Sequence, residues 1–297
     1  MKKYFTLVFI CVLFVGCSSK NNLDFDNLEK KEQIFSNKKA QNITLPKVVE
    51  QIEPYDIIFV GDHHNTKKTH EFFNSILKEL IKKGYKIHLA NEWFSPSENR
   101  LLEDYTLNKF DSDELNKRKN WKKFSRYDWK LSSMLYETVK KGDGKLYGIN
   151  ISKENRKKIS LRQFDKMSKE EKDFYDSLDL NVSAHEKLVK PYLEHCSKMP
   201  SKSKENCVDR MYRVQVTWDT YMANETYKLS KEVLKTPKDK LIVFVGAFHI
   251  EYNLGIPLRF SRLSNTPFTT ISNYQLQKEE EISIPNNLSD IVYIYEK

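Results

Sequence analysis

The stretch "IIFVGDHHNTKKTHEFFNSILKELIKKGYKIHLANEW", residues 57–93, decides the fold. Its opening run, Ile57–Gly61, is apolar and partly β-branched, and reads as a buried strand. Phe72, Phe73, Ile76, Leu77, Leu80 and Ile81 then recur at helical spacing, and Gly84 stands where the residue after a helix C-terminus belongs. A second apolar run, 86–93, follows. Strand, helix and strand in this order imply a right-handed crossover and a parallel sheet. Runs at 145–151 and 241–247 look like further buried strands, and two more, near 268–272 and 290–295, close the chain. Residues 153–235 carry no strand pattern and read as helices, the last a long one from about Val208 to Leu234. The expected architecture is α/β: a mostly parallel sheet flanked by helices, one domain over 46–297, with a helical insertion at about 153–235.

Ligand sites in such sheets gather at the carboxyl ends of the parallel strands. Gly61, Asp62 and His64 end the first run, Glu92 the second, Asn150 the third, and Gly246 and His249 the fourth, so these residues can line one crevice rim. "FVGDHH" (59–64) and "FVGAFH" (244–249) share the skeleton Phe-Val-Gly-x-x-His. Glycine there allows a tight turn with an unusual φ, and a histidine three residues on can point across the crevice. His64, Glu92 and His249 then form a two-histidine, one-carboxylate metal set, an acid–base pair, or a structural ion-pair network with Asp62. The residue types alone leave these three open. His63 reads as a turn residue, His70 lies in the first helix, and His88 alternates into the core. On the long helix, Tyr212, Gln215, Asp219 and Met222 form one stripe. Its polarity suits a face turned to a crevice; the plainer alternative is an amphipathic helix with aromatic core edges.

At the N-terminus, Lys2 and Lys3 precede an apolar run, Tyr4–Val15, too short to span a bilayer, and Gly16-Cys17 follows. This is the pattern of an export signal over 1–16, with Cys17 lipidated as the mature N-terminus; a plain signal peptide with an incidental cysteine is the alternative. Residues 17–45 read as a polar tether. The formal charge of +9 falls to +7 once Lys2 and Lys3 leave. The lysines are scattered through Asn- and Ser-rich context, and no basic run is interleaved with aromatics, so no nucleic-acid partner is expected. Cys196 and Cys207 remain as a pair in an oxidising compartment and are expected to form a disulfide.

With these residues in hand, the chain resembles the ChaN-like, iron-regulated haem-binding lipoproteins. The resemblance is carried by "VGDHHNTKKTH" (60–70), "ANEWF" (90–94), "YDWKLSSMLYETVKK" (127–141) before "LYGINI" (146–151), "YRVQVTWDTYMA" (212–223) and "VGAFHIEYNLGIP" (245–257). Three positions depart from the pattern: Asp62 stands for Glu, Trp93 for Met and Trp129 for Pro. The hexad pair is also similar to motifs of the wider Tiki/TraB and erythromycin-esterase superfamily, which includes hydrolases and proposed metallopeptidases.

The resemblance implies two cofacial haems per homodimer, with iron held by a tyrosine of one subunit and propionates by a His and a Lys of the other. No Cys-x-x-Cys-His motif is present, so the haem is expected to be non-covalent. The resemblance further implies a lipid-anchored protein of haem uptake, without catalytic residues and with no metal beyond the haem iron. That protein would face the periplasm from the outer membrane, beside a haem receptor. For the iron ligand, Tyr212 is favoured as an outward-facing phenol beside Arg210 and Arg213; Tyr221, Tyr175 and Tyr192 are the alternatives. For the propionates, His185 with Lys187 is favoured over Lys190 and over His64 or His70 with Lys67 and Lys68. His64, Glu92, His249, Gln215 and Asp219 complete the crevice, and His64, Glu92 and His249 serve a hydrolase or metallopeptidase as the competing reading.

Overall fold

The computed structural model describes residues 32–198, 201–276 and 287–296. The export signal, Cys17 and the tether as far as residue 31 lie outside the described residues. Among the described residues, eight strands form one sheet: β1 (Glu32–Ser36), β2 (Gln41–Asn42), β3 (Ile57–Asp62), β4 (Lys86–Asn91), β5 (Lys145–Gly148), β6 (Asp239–Gly246), β7 (Phe268–Leu276) and β8 (Ile291–Glu296). Their order is β2-β1-β8-β7-β3-β6-β4-β5. The strands β3 to β8 pair in parallel, whereas β1 is antiparallel to both β8 and β2.

The opening stretch forms the expected crossover, with its helix at Lys67–Lys82 and Gly84 at φ +82° just beyond. The chain runs from β3 towards the β5 edge, but from β6 it passes back over β3 to β7 and β8. This reversal places the switch point between β3 and β6, so the crevice opens at their carboxyl ends. Both faces of the central strands are covered, which is why they read as unbroken apolar runs. Ile58 and Val60 pack with Val48, Ile52, Phe73 and Leu77. Ile57 and Phe59, pointing the other way, pack with Met222, Ala223, Ile256 and Phe260.

Two boundaries differ from expectation. Residues 32–42, read as tether, make the β1–β2 hairpin at the sheet edge; Phe35 is buried against Val292 and Ile294. Its two apolar positions, Ile34 and Phe35, are too short a run among charges to announce a strand. The region 153–235 is helical as expected, but its long helix (Ser201–Val233) is not peripheral. Met222, Ala223 and Leu229 cover one face of the sheet, while the earlier turns reach the crevice. Cys196 and Cys207 are joined, with their Cα atoms 5.7 Å apart. No helix among the described residues is long and apolar enough to cross a membrane.

Phe59 packs edge-on against Phe260 and Phe268. Phe59→Ala is expected to cost about 3–5 kcal/mol in urea unfolding; a loss below about 1 kcal/mol would contradict this placement in the core.

Candidate functional site

The two glycines of the repeated hexad hold the crevice together by close approach. A Cβ on Gly61 would stand 2.7 Å from the Ala247 Cα, and one on Gly246 would stand 3.0 Å from His64 Nε2. The expectation of an unusual φ is not met at Gly246, whose φ is −55°. The left-handed positions of these loops fall instead at Asn65, Tyr252 and Asn253. Asn65 then uses its side chain to accept the Asp128 N–H at 2.8 Å, tying down the loop before the helix Trp129–Lys141.

With the strands this close, the polar side chains link into one chain across the rim. His64 Nδ1 lies 3.0 Å from Asp62 Oδ2, and its Nε2 lies 3.5 Å from Glu92 Oε1. The other oxygen of Glu92 is 3.5 Å from His249 Nε2. His249 Nδ1 is 2.6 Å from Asp219 Oδ1, and His185 Nε2 is 3.2 Å from Asp219 Oδ2. Glu92 Oε1 also accepts the Gly246 N–H at 2.6 Å. Gln215 Nε2 lies 3.0 Å from His249 Nδ1. The chain thus runs Asp62–His64–Glu92–His249–Asp219–His185 over three strands and two helices. Trp93 and Tyr127 wall in the His64 ring, with centroids at 4.7 and 4.6 Å.

Electrostatics match this alternation of acid and base. Burial lowers the pKa of His64, but the hydrogen bond to Asp62 and the charge of Glu92 outweigh it and raise the net value. Burial likewise opposes charge on His249, and Asp219 and Glu92 overcome it, again with a net rise. Asp219 is fully buried, yet His249, His185 and Arg259 hold it well below the usual carboxylate range. Among the described residues no group of three or more His, Cys, Asp or Glu side chains is arranged to hold a metal ion. The two Nε2 atoms each face an oxygen of Glu92, so the two-histidine, one-carboxylate set does not converge on a common point.

The residues favoured as ligands lie elsewhere than expected. Tyr212 is buried, not outward-facing; its hydroxyl lies 3.4 Å from the Val182 carbonyl and 3.5 Å from His185 Nδ1. Burial pushes its pKa up to about 12 against the opposing charge of Arg259, so the phenol stays protonated. Neither expected arginine helps: Arg210 is exposed, and Arg213 turns to Asp209 and the Ser160 carbonyl. His185 is fully buried on Asp219, whereas Lys187 is exposed. Two residues apart on a helix point to nearly opposite sides, so these two cannot clasp one carboxylate. Tyr221 and Tyr175 are half-buried among aromatics, against Phe174 and Phe164 respectively. His70 is buried and faces the Thr66 carbonyl, and His88 is buried on Asp239, as expected of a core histidine.

Tyr192 is different. It is 67% exposed, its ring meets Phe248 edge-on at 4.7 Å, and both line a cavity of 520 Å³. The same cavity reaches His64, Gln215 and Gly246 at its polar end and Val189, Met211 and Trp218 on its apolar wall. Glu251 lines it too, with its pKa raised by burial to about 7. Phe248 and Glu251 were missed in the sequence, although Phe248 lies inside the second hexad and Glu251 stands two residues after it.

The pairing at Asp219 predicts a pH dependence. A raised His249 pKa contributes stability that is complete below its ordinary value of 6.5 and is lost as pH rises through the folded value. A depressed Asp219 pKa contributes stability that is complete above 3.8 and is lost only as pH falls through the lower folded value. The two overlap between about pH 4 and 6.5. Asp219→Asn is expected to cost about 3–5 kcal/mol near pH 5.5 and less near pH 8.5. Denaturant unfolding showing equal losses at both would contradict the ion pair.

Comparison with known proteins bears on the family and the fold. A family profile described as haem-binding uptake, Tiki superfamily, ChaN matches residues 48–260. Among solved structures, one of cofacial heme binding to ChaN of Campylobacter jejuni aligns with TM-score 0.68 and 19% identity, covering 90% of this chain and 98% of that one. The type III effector HopBA1 aligns at TM-score 0.50 and 15% identity over 85% of this chain and 93% of that one. An EreC erythromycin esterase mutant in its open conformation aligns at 0.46 and 12% identity over 83% and 78%. No curated protein matches the sequence. The chain belongs to the haem-binding uptake family of the Tiki superfamily that includes ChaN.

Proposed function

We propose that the protein binds haem non-covalently on the Tyr192 face of the crevice, as a carrier in bacterial haem uptake rather than an enzyme. One observation carries this: an exposed phenol beside Phe248, at the mouth of a cavity with an apolar wall. Those residues fit the group. Trp218, Phe248, Val189 and Met211 offer apolar surface to a porphyrin, and Tyr192 offers a hard oxygen to ferric iron. Haem, when bound, supplies an iron that takes an anionic oxygen ligand. Tyr192 therefore replaces Tyr212 as the ligating residue, because Tyr212 is held under the helix Ser183–Val189 with its proton on. Burial and Glu251 raise the Tyr192 pKa, so the phenol is protonated in the free protein and loses its proton to solvent on ligation. Two faces of this kind, brought together by a pair of cofacial haems, would make a homodimer that depends on ligand. Lipidation at Cys17 would tether the carrier in the outer membrane, facing the periplasm, near a haem receptor.

The linked histidines favour a second reading. The chain His64–Glu92–His249 is a ready acid–base pair joined through a carboxylate, suited to activating water for hydrolysis. Its test is turnover of ester or peptide substrates that disappears in His64→Ala and Glu92→Gln; absence of turnover in the wild type removes this reading.

Titration with ferric haem is expected to give a saturable Soret change and a shift from monomer to dimer in sedimentation. Tyr192→Phe should remove the phenolate-to-iron absorption and weaken binding at least tenfold, while Tyr212→Phe should leave the spectrum unchanged. A spectrum lost in Tyr212→Phe and kept in Tyr192→Phe would reverse the assignment.

A further inference from the structure

Two of the crevice histidines are fully occupied by acids. His64 sets its ring nitrogens against Asp62 and Glu92, and His249 sets its own against Asp219 and Glu92. His63 is held differently. It follows β3, is half-buried, and lines the same 520 Å³ cavity as Tyr192. Its Nδ1 lies 2.9 Å from the hydroxyl of Tyr295, a buried residue of β8 whose ring meets the imidazole edge-on. No carboxylate and no hydrogen-bond partner meets its Nε2 among the described residues. The His63 carbonyl accepts the Thr66 N–H, the turn role expected of it, but that turn makes no use of the side chain. Burial lowers the His63 pKa against the opposing charge of Asp62, which keeps the ring neutral at neutral pH.

A neutral imidazole anchored at one nitrogen and open at the other is the arrangement of a metal-ligating histidine. When Nδ1–H donates to the Tyr295 oxygen, the Nε2 lone pair is left for a ligand and is turned away from the phenol. Haem needs only one such atom from the protein. The cavity offers two, and they differ in kind: Tyr192 gives an oxygen that is anionic once ligated, and His63 gives a neutral nitrogen. Reduction removes one positive charge from the iron and with it part of the attraction for an anionic oxygen. A neutral imidazole loses no such attraction and is a familiar haem ligand.

We propose that His63 Nε2 ligates the iron when the bound haem is ferrous, so that the crevice holds haem through Tyr192 in one oxidation state and His63 in the other. The inference rests on the haem reading for the identity of its ligand. The exchange balances with one electron from a one-electron reductant. Ferric iron becomes ferrous, the bond between iron and the Tyr192 oxygen breaks, and the released phenolate takes a proton from solvent. The Nε2 lone pair then forms the new bond to iron.

The test reduces the ferric haem complex of the full chain with dithionite and reads resonance Raman spectra of the wild type, His63→Ala and Tyr295→Phe. On reduction the wild type is expected to lose its tyrosinate modes and gain an iron–histidine stretch. His63→Ala should keep the ferric spectrum, which shows that the variant folds, yet lack that stretch and bind ferrous haem about tenfold or more weakly. Tyr295→Phe should keep the stretch at a lower frequency, because the ring loses the partner of its Nδ1. A stretch that survives His63→Ala, or a wild type without one, overturns the proposal. The two assignments fail separately. A ferric complex without tyrosinate modes contradicts Tyr192 and leaves His63 to the ferrous spectra, whereas tyrosinate modes with no ferrous iron–histidine stretch remove His63 alone. A protein that binds haem in neither oxidation state removes both.

Discussion

Glu92 accepts the Gly246 backbone N–H at 2.6 Å and presents an oxygen to each of two histidines from different loops. Much else follows from this one carboxylate. It locks the end of β4 to the end of β6, where a Cβ at 246 would stand 3.0 Å from His64 Nε2 and the histidine would have to shift. The charge of Glu92 adds to that of Asp62 on one side and of Asp219 on the other in raising the pKa of both histidines against the effect of burial. The negative charge, in turn, is tolerated in the interior because three donors surround it. Removing any one partner leaves a buried charge uncompensated, so the rim behaves as a unit.

This arrangement divides the crevice into two parts with different chemistry. At the carboxyl rim of the central strands, acids and bases alternate and are largely satisfied by one another. Toward the long helix, the wall turns apolar, with Trp218, Met211, Val189 and Phe248, and ends on the exposed ring of Tyr192. The haem reading rests on the apolar open wall, and the hydrolase reading on the internally paired floor. The disulfide between Cys196 and Cys207 lies four residues past Tyr192 and joins that segment to the long helix, so the exposed phenol sits on an anchored backbone.

Much of this could be read from the sequence where one physical rule dominated. Two-sided burial made β3, β4 and β6 legible as apolar runs, and the carboxyl-end rule then gathered Asp62, His64, Glu92 and His249 correctly. Gln215 and Asp219 were found because polar residues on a helical stripe need a polar neighbour, and His249 is that neighbour. The same stripe misled at Tyr212. Periodicity assigns a residue to a face of its helix but does not say what covers that face, and here the helix Ser183–Val189 does. Tyr192 carried no periodic signal, since it lies in a short 3-10 segment broken at Leu193. His63 and Tyr295 are far apart in sequence and meet only through tertiary packing.

The central claim is that an exposed tyrosine, Tyr192, ligates ferric iron at this crevice. Resonance Raman spectroscopy of the ferric haem complex, excited in the phenolate-to-iron band, tests it most directly. Ring modes of a coordinated tyrosinate are expected, shifting when the protein is labelled with ring-deuterated tyrosine and vanishing in Tyr192→Phe. A haem complex without tyrosinate modes, or with modes that persist in Tyr192→Phe, would contradict the account.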